Sequence, residues 1–323
     1  MPRGARRAVL GAILSGVVLA AGAQSYPSRP INMIVPLQAG SGVDAILRTV
    51  ANKMAENMGQ NIVIENQPGA SGLIGAERLT KAAPDGYTIG GLNDGILTML
   101  PNLNKELKFG IDDFTPIGNI TGTSGLVAIR MTPQWGNIGE FVAWAKANPG
   151  KVNLGTAGAG TLTHILGAAM QARGGVKYTH IPYKGVADAV TAMLAGNVDI
   201  VLSLPAVVIP HVKTGKLRAI ATFGNVRSEF LPEAPTFRES GIDFVDVARF
   251  GLFGPKGLPA PVLAKLASAL EEAVKSPEFA ALMQKGYTTV LYHAPAEYRT
   301  VLDDENRRWA ALLNDPNFAE AMK

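Results

Sequence analysis

The sequence predicts an α/β architecture of two doubly wound α/β lobes around a shared cleft, and three observations carry that prediction. Short β-branched runs alternate with helix-period segments along most of the chain. The alternation occurs twice in succession, with no low-complexity linker between the halves. Of 323 residues, 47% are hydrophobic and 17% are charged, which supplies core for two domains of ordinary size. The 36 glycines and 21 prolines suit many tight strand–helix turns and argue against a helical bundle.

The first 23 residues stand apart. Residues 1–7 carry Arg3, Arg6 and Arg7, residues 8–20 are apolar with Ser15 as the polar exception, and Ala21-Gly22-Ala23 has the form of a cleavage site. This is the pattern of a secretory signal peptide cut after Ala23, and its apolar run is shorter than the roughly 20 residues of a spanning helix. Export is therefore expected, with a mature chain from Gln24. Removing the three leader arginines lowers Lys plus Arg from 30 to 27, against 26 Asp plus Glu. The nearly neutral remainder gives no case for nucleic-acid binding. The chain has no cysteine, which excludes disulfides, a thiol nucleophile and cysteine-ligated metals.

Each element follows from local pattern. Residues 31–36 read as a buried strand. Asp44 precedes a helix whose Ile46, Leu47, Val50, Met54 and Met58 recur at helical spacing, and Gly59 stops it. Residues 61–65 form the next strand, Gln67-Pro68-Gly69 a turn, and Ile74, Leu79 and Ala82 a second helix. Pro84-Asp85-Gly86 turns the chain into a third strand at 87–92. Strand, helix, strand, helix, strand implies a parallel sheet with right-handed crossovers. From about residue 124 the plan repeats, with strands at 126–130, 151–156, 178–182, 198–202 and 217–222. Helices fall at 138–147, 161–172, 187–194 and 207–213. Beyond Gly251 the chain turns helical at 260–274, 277–285 and 295–313, too poor in strands for a third α/β domain. This tail is expected to return to the first lobe. Lobe 1 is thus 24–123 plus 251–323, and lobe 2 is 124–250, with crossings near 122–125 and 249–251.

Open parallel sheets bind ligands beyond the carboxyl ends of their strands. Here two strands run into glycine-rich turns that open helices, Leu37-Gln38-Ala39-Gly40-Ser41-Gly42 and Gly155-Thr156-Ala157-Gly158-Ala159-Gly160-Thr161. A helix start offers unpaired N–H groups at a positive dipole end, which suits an anion. The first turn reads equally as a tight strand–helix turn, with Asp44 as the cap of its helix. The second is neither a P-loop nor a dinucleotide fingerprint, since it lacks Gly-Lys-Ser/Thr and the third glycine. His164 reads as either a structural or a cleft-facing histidine. His180, His211 and His293 lack the spacing of a helical metal pair, so no metal and no cofactor are expected. No nucleophile elbow is present, and Ser71 has the wrong spacing for one. Asp94, Asp112, Asp113, Asp303, Asp304 and Glu305 read as turn or solvated carboxylates. The enzyme alternative is an exported hydrolase or isomerase using His164 and Thr161, three apart on one helical face. It lacks an orienting carboxylate and an activated serine.

A resemblance then becomes specific. It is carried in the first half by Tyr26-Pro27-Ser28-Arg29-Pro30-Ile31, by Ile34-Val35-Pro36 with Gly40 and Asp44, by Val63-Ile64-Glu65-Asn66-Gln67-Pro68-Gly69-Ala70, and by Ala83-Pro84-Asp85-Gly86-Tyr87-Thr88. In the second half it continues through Ala147-Asn148-Pro149-Gly150-Lys151, Gly155-Thr156-Ala157-Gly158 with His164, Ile181-Pro182-Tyr183-Lys184-Gly185, Gly215-Lys216-Leu217-Arg218-Ala219 and Pro232-Glu233-Ala234-Pro235-Thr236. In these segments the chain resembles the extracytoplasmic solute receptors of tripartite tricarboxylate transporters, the Bug-type receptors. The resemblance implies a periplasmic binding protein of the Venus-flytrap type, a monomeric receptor and not an enzyme. Such a receptor captures a small carboxylate for membrane permease subunits, or acts as a sensor.

Carried over residue by residue, the ligand loops are Gln38, Ala39, Gly40 and Ser41 in one lobe and Thr156, Ala157 and Gly158 in the other. Thr161 and His164 follow the second loop, Asn93 and Asp94 follow the third strand of lobe 1, and Ser203 follows strand 198–202. Two departures stand out. Gln38 and Ser41 add polar groups to the first loop, and in the segment before Gly251, which commonly carries an aromatic residue, Arg249-Phe250 places a charge near the hinge. Arg249 is expected to be solvated.

Overall fold

A computed structural model of the chain describes residues 26–131 and 134–322, so the expected signal segment 1–23 lies outside the described residues. The first half runs β1 (Ile31–Val35), α1 (Gly42–Met58), β2 (Ile62–Asn66), α2 (Leu73–Thr80), β3 (Thr88–Asn93), the short helices α3 (Gly95–Thr98) and α4 (Leu100–Leu103), and β4 (Phe114–Ser124). The second half runs β5 (Leu126–Arg130), α5 (Ile138–Ala147), β6 (Val152–Thr156), α6 (Leu162–Gly174), β7 (Tyr178–Pro182), α7 (Val186–Leu194), β8 (Ile200–Ser203), α8 (Pro205–Lys213) and β9 (Leu217–Thr222). The chain then returns through β10 (Val247–Pro255) and closes with α9 (Ala260–Val274), α10 (Pro277–Lys285), α11 (Pro295–Leu313) and α12 (Pro316–Ala321).

These strands make two five-stranded sheets of the same plan, β2-β1-β3-β10-β4 and β7-β6-β8-β5-β9. The pairs β1/β2, β1/β3, β6/β7 and β6/β8 are parallel, as strand–helix alternation requires. The sheets are nevertheless mixed, contrary to the wholly parallel expectation. β10 runs antiparallel to β3 and β4, and β5 runs antiparallel to β8 and β9. The reason is connectivity. Both β5 and β10 enter their sheets from the other half of the molecule, so they arrive at the end where the parallel strands finish.

The sequence reading assigned no strand to β4, because Pro116, Gly118 and Gly122 interrupt it. It is an edge strand, where proline removes no ladder bond. Gly122 permits a close approach, since a Cβ there would lie 2.4 Å from Leu291 Cδ2. The run after α10 lies over this strand, with Gly122 N–H donating to Thr289 O at 3.1 Å and Asn119 N–H to His293 O at 3.1 Å.

Helices cover both faces of each sheet. On one face of the first sheet Leu47, Val50 and Met54 of α1 pack with Leu266, Leu270 and Phe279 of α9 and α10. On the other face Tyr298 and Leu302 of α11 pack with Ile34, Leu92 and Phe253. The tail thus returns to the first sheet, as expected, but it does not stop there. Trp309 and Leu312 of α11 and Phe318 of α12 join the core of the second sheet beside Phe141 and Ile165.

Candidate ligand-binding site

The turn after β1 is built around Asp44. Ser41, not Asp44, is the N-cap of α1, its Oγ accepting the Asp44 N–H at 3.2 Å. The Asp44 carboxylate reaches back instead. It accepts from Gly40 N–H at 2.9 Å, Arg48 Nε at 2.8 Å and Asn66 Nδ2 at 2.8 Å. The hydrogen bond from Arg48, joined by those from Asn66 and Gly40, holds this carboxyl down at about 2. Asn66 Nδ2 also donates to Leu37 O at 3.0 Å, tying the turn to the end of β2. Gly40 has φ 82, a left-handed conformation that glycine adopts without strain. Gln38, Ala39 and Gly40 are exposed. The Gly40 amide is already engaged by Asp44, so the anion donors remaining here belong to the first turn of α1.

The turn after β6 is internally bonded in the same manner. Thr156 Oγ1 accepts from Gly158 N–H at 3.2 Å and lies 2.5 Å from His180 Nε2. Ala157 N–H donates to Thr163 Oγ1 at 3.0 Å, and Gly160 N–H donates to His164 Nδ1 at 3.0 Å. Thr161 Oγ1 donates to Gly158 O at 2.7 Å, and α6 carries no side-chain cap. Its first-turn amides, on Leu162, Thr163 and His164, are the donors left at this end. The His164 and His180 rings stack with centroids 4.0 Å apart and planes 8° apart. Because His164 Nδ1 accepts a backbone N–H, the ring is neutral with its proton on Nε2. Burial lowers the pKa of both rings, and protonation of His164 would lower that of His180 further.

Beyond β3, Asn93 Nδ2 donates to Arg249 O at 2.9 Å and its Oδ1 accepts Gly95 N–H at 3.0 Å. Here the sequence reading needs correction. Asp94, Arg249 and Glu305 are not solvated; they are 2%, 5% and 5% exposed. Arg249 Nη1 lies 3.4 Å from Asp94 Oδ2 and 3.2 Å from Glu305 Oε2, while Arg249 N–H donates to Asp94 Oδ1 at 3.2 Å. The antiparallel register of β10 against β3 juxtaposes residues 155 apart in sequence, and α11 adds Glu305. Burial, and then the charge of Glu305, push the Asp94 carboxyl up against the pull of Arg249. Asp112, Asp303 and Asp304 do pair with Arg299 and Arg307 at the surface, as expected of solvated carboxylates.

A cavity of about 70 Å³ lies between the end of β3, the start of α6 and α11. Asn93, Asp94 and Gly95 wall it from the first lobe, Leu162 from the first turn of α6, and Asp246, Glu305 and Trp309 from the crossing segment and α11. It brings Asn93 and Asp94 to Leu162 at the start of α6; Thr156, Ala157, Gly158, Thr161 and His164 do not line it. Gln38, Ala39, Gly40 and Ser41 do not line it, and neither does Ser203, whose buried hydroxyl donates to Leu204 O at 3.0 Å. The sequence reading missed Asp246, Arg249 and His180 as parts of this region. The one local signal was a lone acid between Val245 and Val247. Among the described residues, no group of His, Cys, Asp or Glu is placed to hold a metal ion, and no helix is long and apolar enough to cross a membrane.

Two sheets of the same plan, joined by crossing strands and enclosing helix N-termini, can be set beside known proteins. The family model for the tripartite tricarboxylate transporter family receptor matches residues 46–318. The chain belongs to that receptor family. A receptor-family relative from Cupriavidus necator, the "UPF0065 protein in gbd 5'region", is 33% identical over 318 residues, covering 98% of this chain and 96% of its own length. A TctC solute-binding protein from Polaromonas, solved with no ligand, superimposes with a TM-score of 0.83 at 30% identity, covering 90% of this chain and 99% of its own. MatC from Rhodopseudomonas palustris, solved with bound malate, gives a TM-score of 0.71 at 28% identity, covering 90% and 100%. The protein is thus a solute-binding receptor of the tripartite tricarboxylate transporter family, with the two-lobed fold of its neighbours.

Proposed function

We propose that this receptor is exported to the periplasm, captures a small carboxylate between its lobes and presents it to the membrane subunits of a tripartite transporter. The observation that carries the ligand class is the uncapped start of α6, whose first residue, Leu162, lines the cavity. A carboxylate accepting several such N–H groups gains roughly 1.5–3 kcal/mol from each, enough together for micromolar binding. The malate bound to the related MatC protein supports the same class. The ligand loops are Gln38–Ser41 and Thr156–Gly158, with Thr161, His164, Asn93 and Asp94 at their edges. The alternative reading as a hydrolase or isomerase draws no support from the contacts of its two residues. His164 Nδ1 is taken by Gly160 N–H, and the Thr161 hydroxyl donates to a backbone carbonyl.

A thermal-shift screen of mono-, di- and tricarboxylates tests this reading. At least one should raise the melting temperature, because a ligand present at 100 times its Kd stabilises by about 2.7 kcal/mol. A shift produced by sugars or metal cations alone would refute the ligand class.

A further inference from the structure

The chain entering β10 separates two spaces, and its residues alternate between them as in any extended strand. Asp246 and Ala248 line the cavity beside α6, whereas Val247 and Arg249 line a groove of about 460 Å³ on the other face. The rims of this groove come from different sheets. The run 287–291 is fastened to β4 of the first sheet, with Gly122 N–H donating to Thr289 O at 3.1 Å and Leu291 N–H to Ile120 O at 3.2 Å. The facing rim, at 228–230, follows β9 of the second sheet. The two rims touch. The rings of Phe230 and Tyr287 meet edge to face with centroids 5.7 Å apart, and Thr289 Oγ1 donates to Glu229 Oε1 at 3.0 Å. Lys213, at the end of α8, donates to Tyr287 Oη at 3.0 Å and sits 4.7 Å from the centre of its ring. Tyr287 thereby packs with Val208, Leu217 and Leu231 of the second sheet's core. It does so at φ 51, a left-handed conformation that a tyrosine rarely adopts. Such strain persists only where the surroundings impose it, and here the side-chain contacts that impose it cross from one sheet to the other.

We propose that Tyr287, Phe230 and the Glu229–Thr289 pair form a latch that holds the lobes apart and so sets ligand affinity from outside the ligand site. The inference rests on the carboxylate reading above and deepens it. The ligand turns follow β1 and β6, each second in the order of its sheet, while the latch lies against β4 and β9 at the far edges. The crossings run through β4, β5 and β10, between the turns and the latch. Rotation about them that brings the two turns together opens the groove behind, parting Tyr287 from Phe230 and Lys213, and Thr289 from Glu229. The latch contacts are made in the open arrangement and lost in the closed one. They lower the closed population, and apparent affinity falls in proportion to that population. Tyr287 is thus a positioning residue, which acts on the ligand through the angle between the lobes.

Two variants remove the contact from opposite rims. Tyr287→Gly deletes the ring with a residue that suits φ 51, and Phe230→Ala deletes its partner. Calorimetry with malate, succinate, adipate and citrate compares each variant with the wild type. Whichever of these binds the wild type should bind both variants about two- to tenfold more tightly, the fold-change that one aromatic pair is worth. The same variants should melt cooperatively at a lower temperature, whereas loss of a merely structural contact would not tighten binding. The chain has no cysteine, so spin labels at Ile74→Cys and Lys184→Cys, exposed positions after β2 and β7, report the width of the cleft without ligand. In the ligand-free variants the label distance should shorten. Affinity unchanged or weakened in both variants, or a label distance that does not shorten, would overturn the latch and leave the carboxylate reading intact. Binding by none of the four counts against the carboxylate reading, and the label distances then decide the latch on their own.

Discussion

At the residue scale, the turn after β6 rests on two histidines. His164 accepts the Gly160 amide, and Thr156, which accepts the Gly158 amide, lies against His180. Protonation turns His164 Nδ1 from acceptor into donor, facing another donor, and sets two positive rings 4.0 Å apart. Both rings have folded pKa values below the ordinary 6.5. The unfolded chain therefore takes up protons first, and stability present above pH 6.5 is lost as the pH falls through the folded values. Titration of these two rings lowers the melting temperature of the ligand-free protein between pH 7 and pH 5, against the buried Asp94 and Asp246 carboxyls, whose raised values act in the opposite sense. His180→Phe keeps a stacked ring without a titrating group, so its slope should be shallower; an unchanged slope would remove the pair from this account. Sequence reading singled out His164 from its place in a helical turn. It passed over His180, because only the pairing of β6 with β7 brings that ring against Thr156.

Element by element, the glycines of the crossing strands serve packing. Gly122 and Gly251 both lie in paired strands, and neither has a positive φ. A Cβ at Gly251 would lie 2.5 Å from Tyr298 Cε1 and 2.9 Å from Gly118 O. Gly251→Ala must therefore displace α11 or β4, at a cost of about 1–3 kcal/mol. Gly110→Ala is the matched control, since φ is −149 and no atom lies within 4 Å of its Cβ position. Urea unfolding of the two variants checks this, with a lower midpoint expected for Gly251→Ala and little change for Gly110→Ala. The helices and most strands were legible because their periodicity is local: Ile138–Ala147, Tyr178–Pro182, Leu217–Thr222 and Pro295–Leu313 fall where the pattern placed them. β4 was not legible, because its pairing with β10 and the overlying 289–293 run comes from outside its own sequence.

For the whole molecule, the proposed capture by two lobes requires the turn at Gly40 and the turn at Gly158 to meet one carboxylate. Gly158 has φ 118, and a Cβ there would lie 3.3 Å from Tyr183 O. Gly158→Val therefore strains the turn that carries the second set of contacts. Thr161→Ala loses one hydroxyl bond to Gly158 O, a net effect of about 0.5–1.5 kcal/mol. Calorimetry with whichever carboxylate gives the largest thermal shift should find the larger loss of affinity in Gly158→Val; equal affinity for that variant and the wild type would rule out a two-turn grip. The sequence by itself determined the order of the elements, the division into two α/β halves and the glycine-rich turns that open α1 and α6. Each depends on neighbours within a few residues and is written in spacing and turn chemistry. Only the tertiary structure decided which groups are buried together. Asp94, Arg249 and Glu305 look like surface charges in their own segments and become one cluster when β10 enters the first sheet and α11 closes over it. Contacts across 155 and 56 residues are set by packing, which no local pattern encodes.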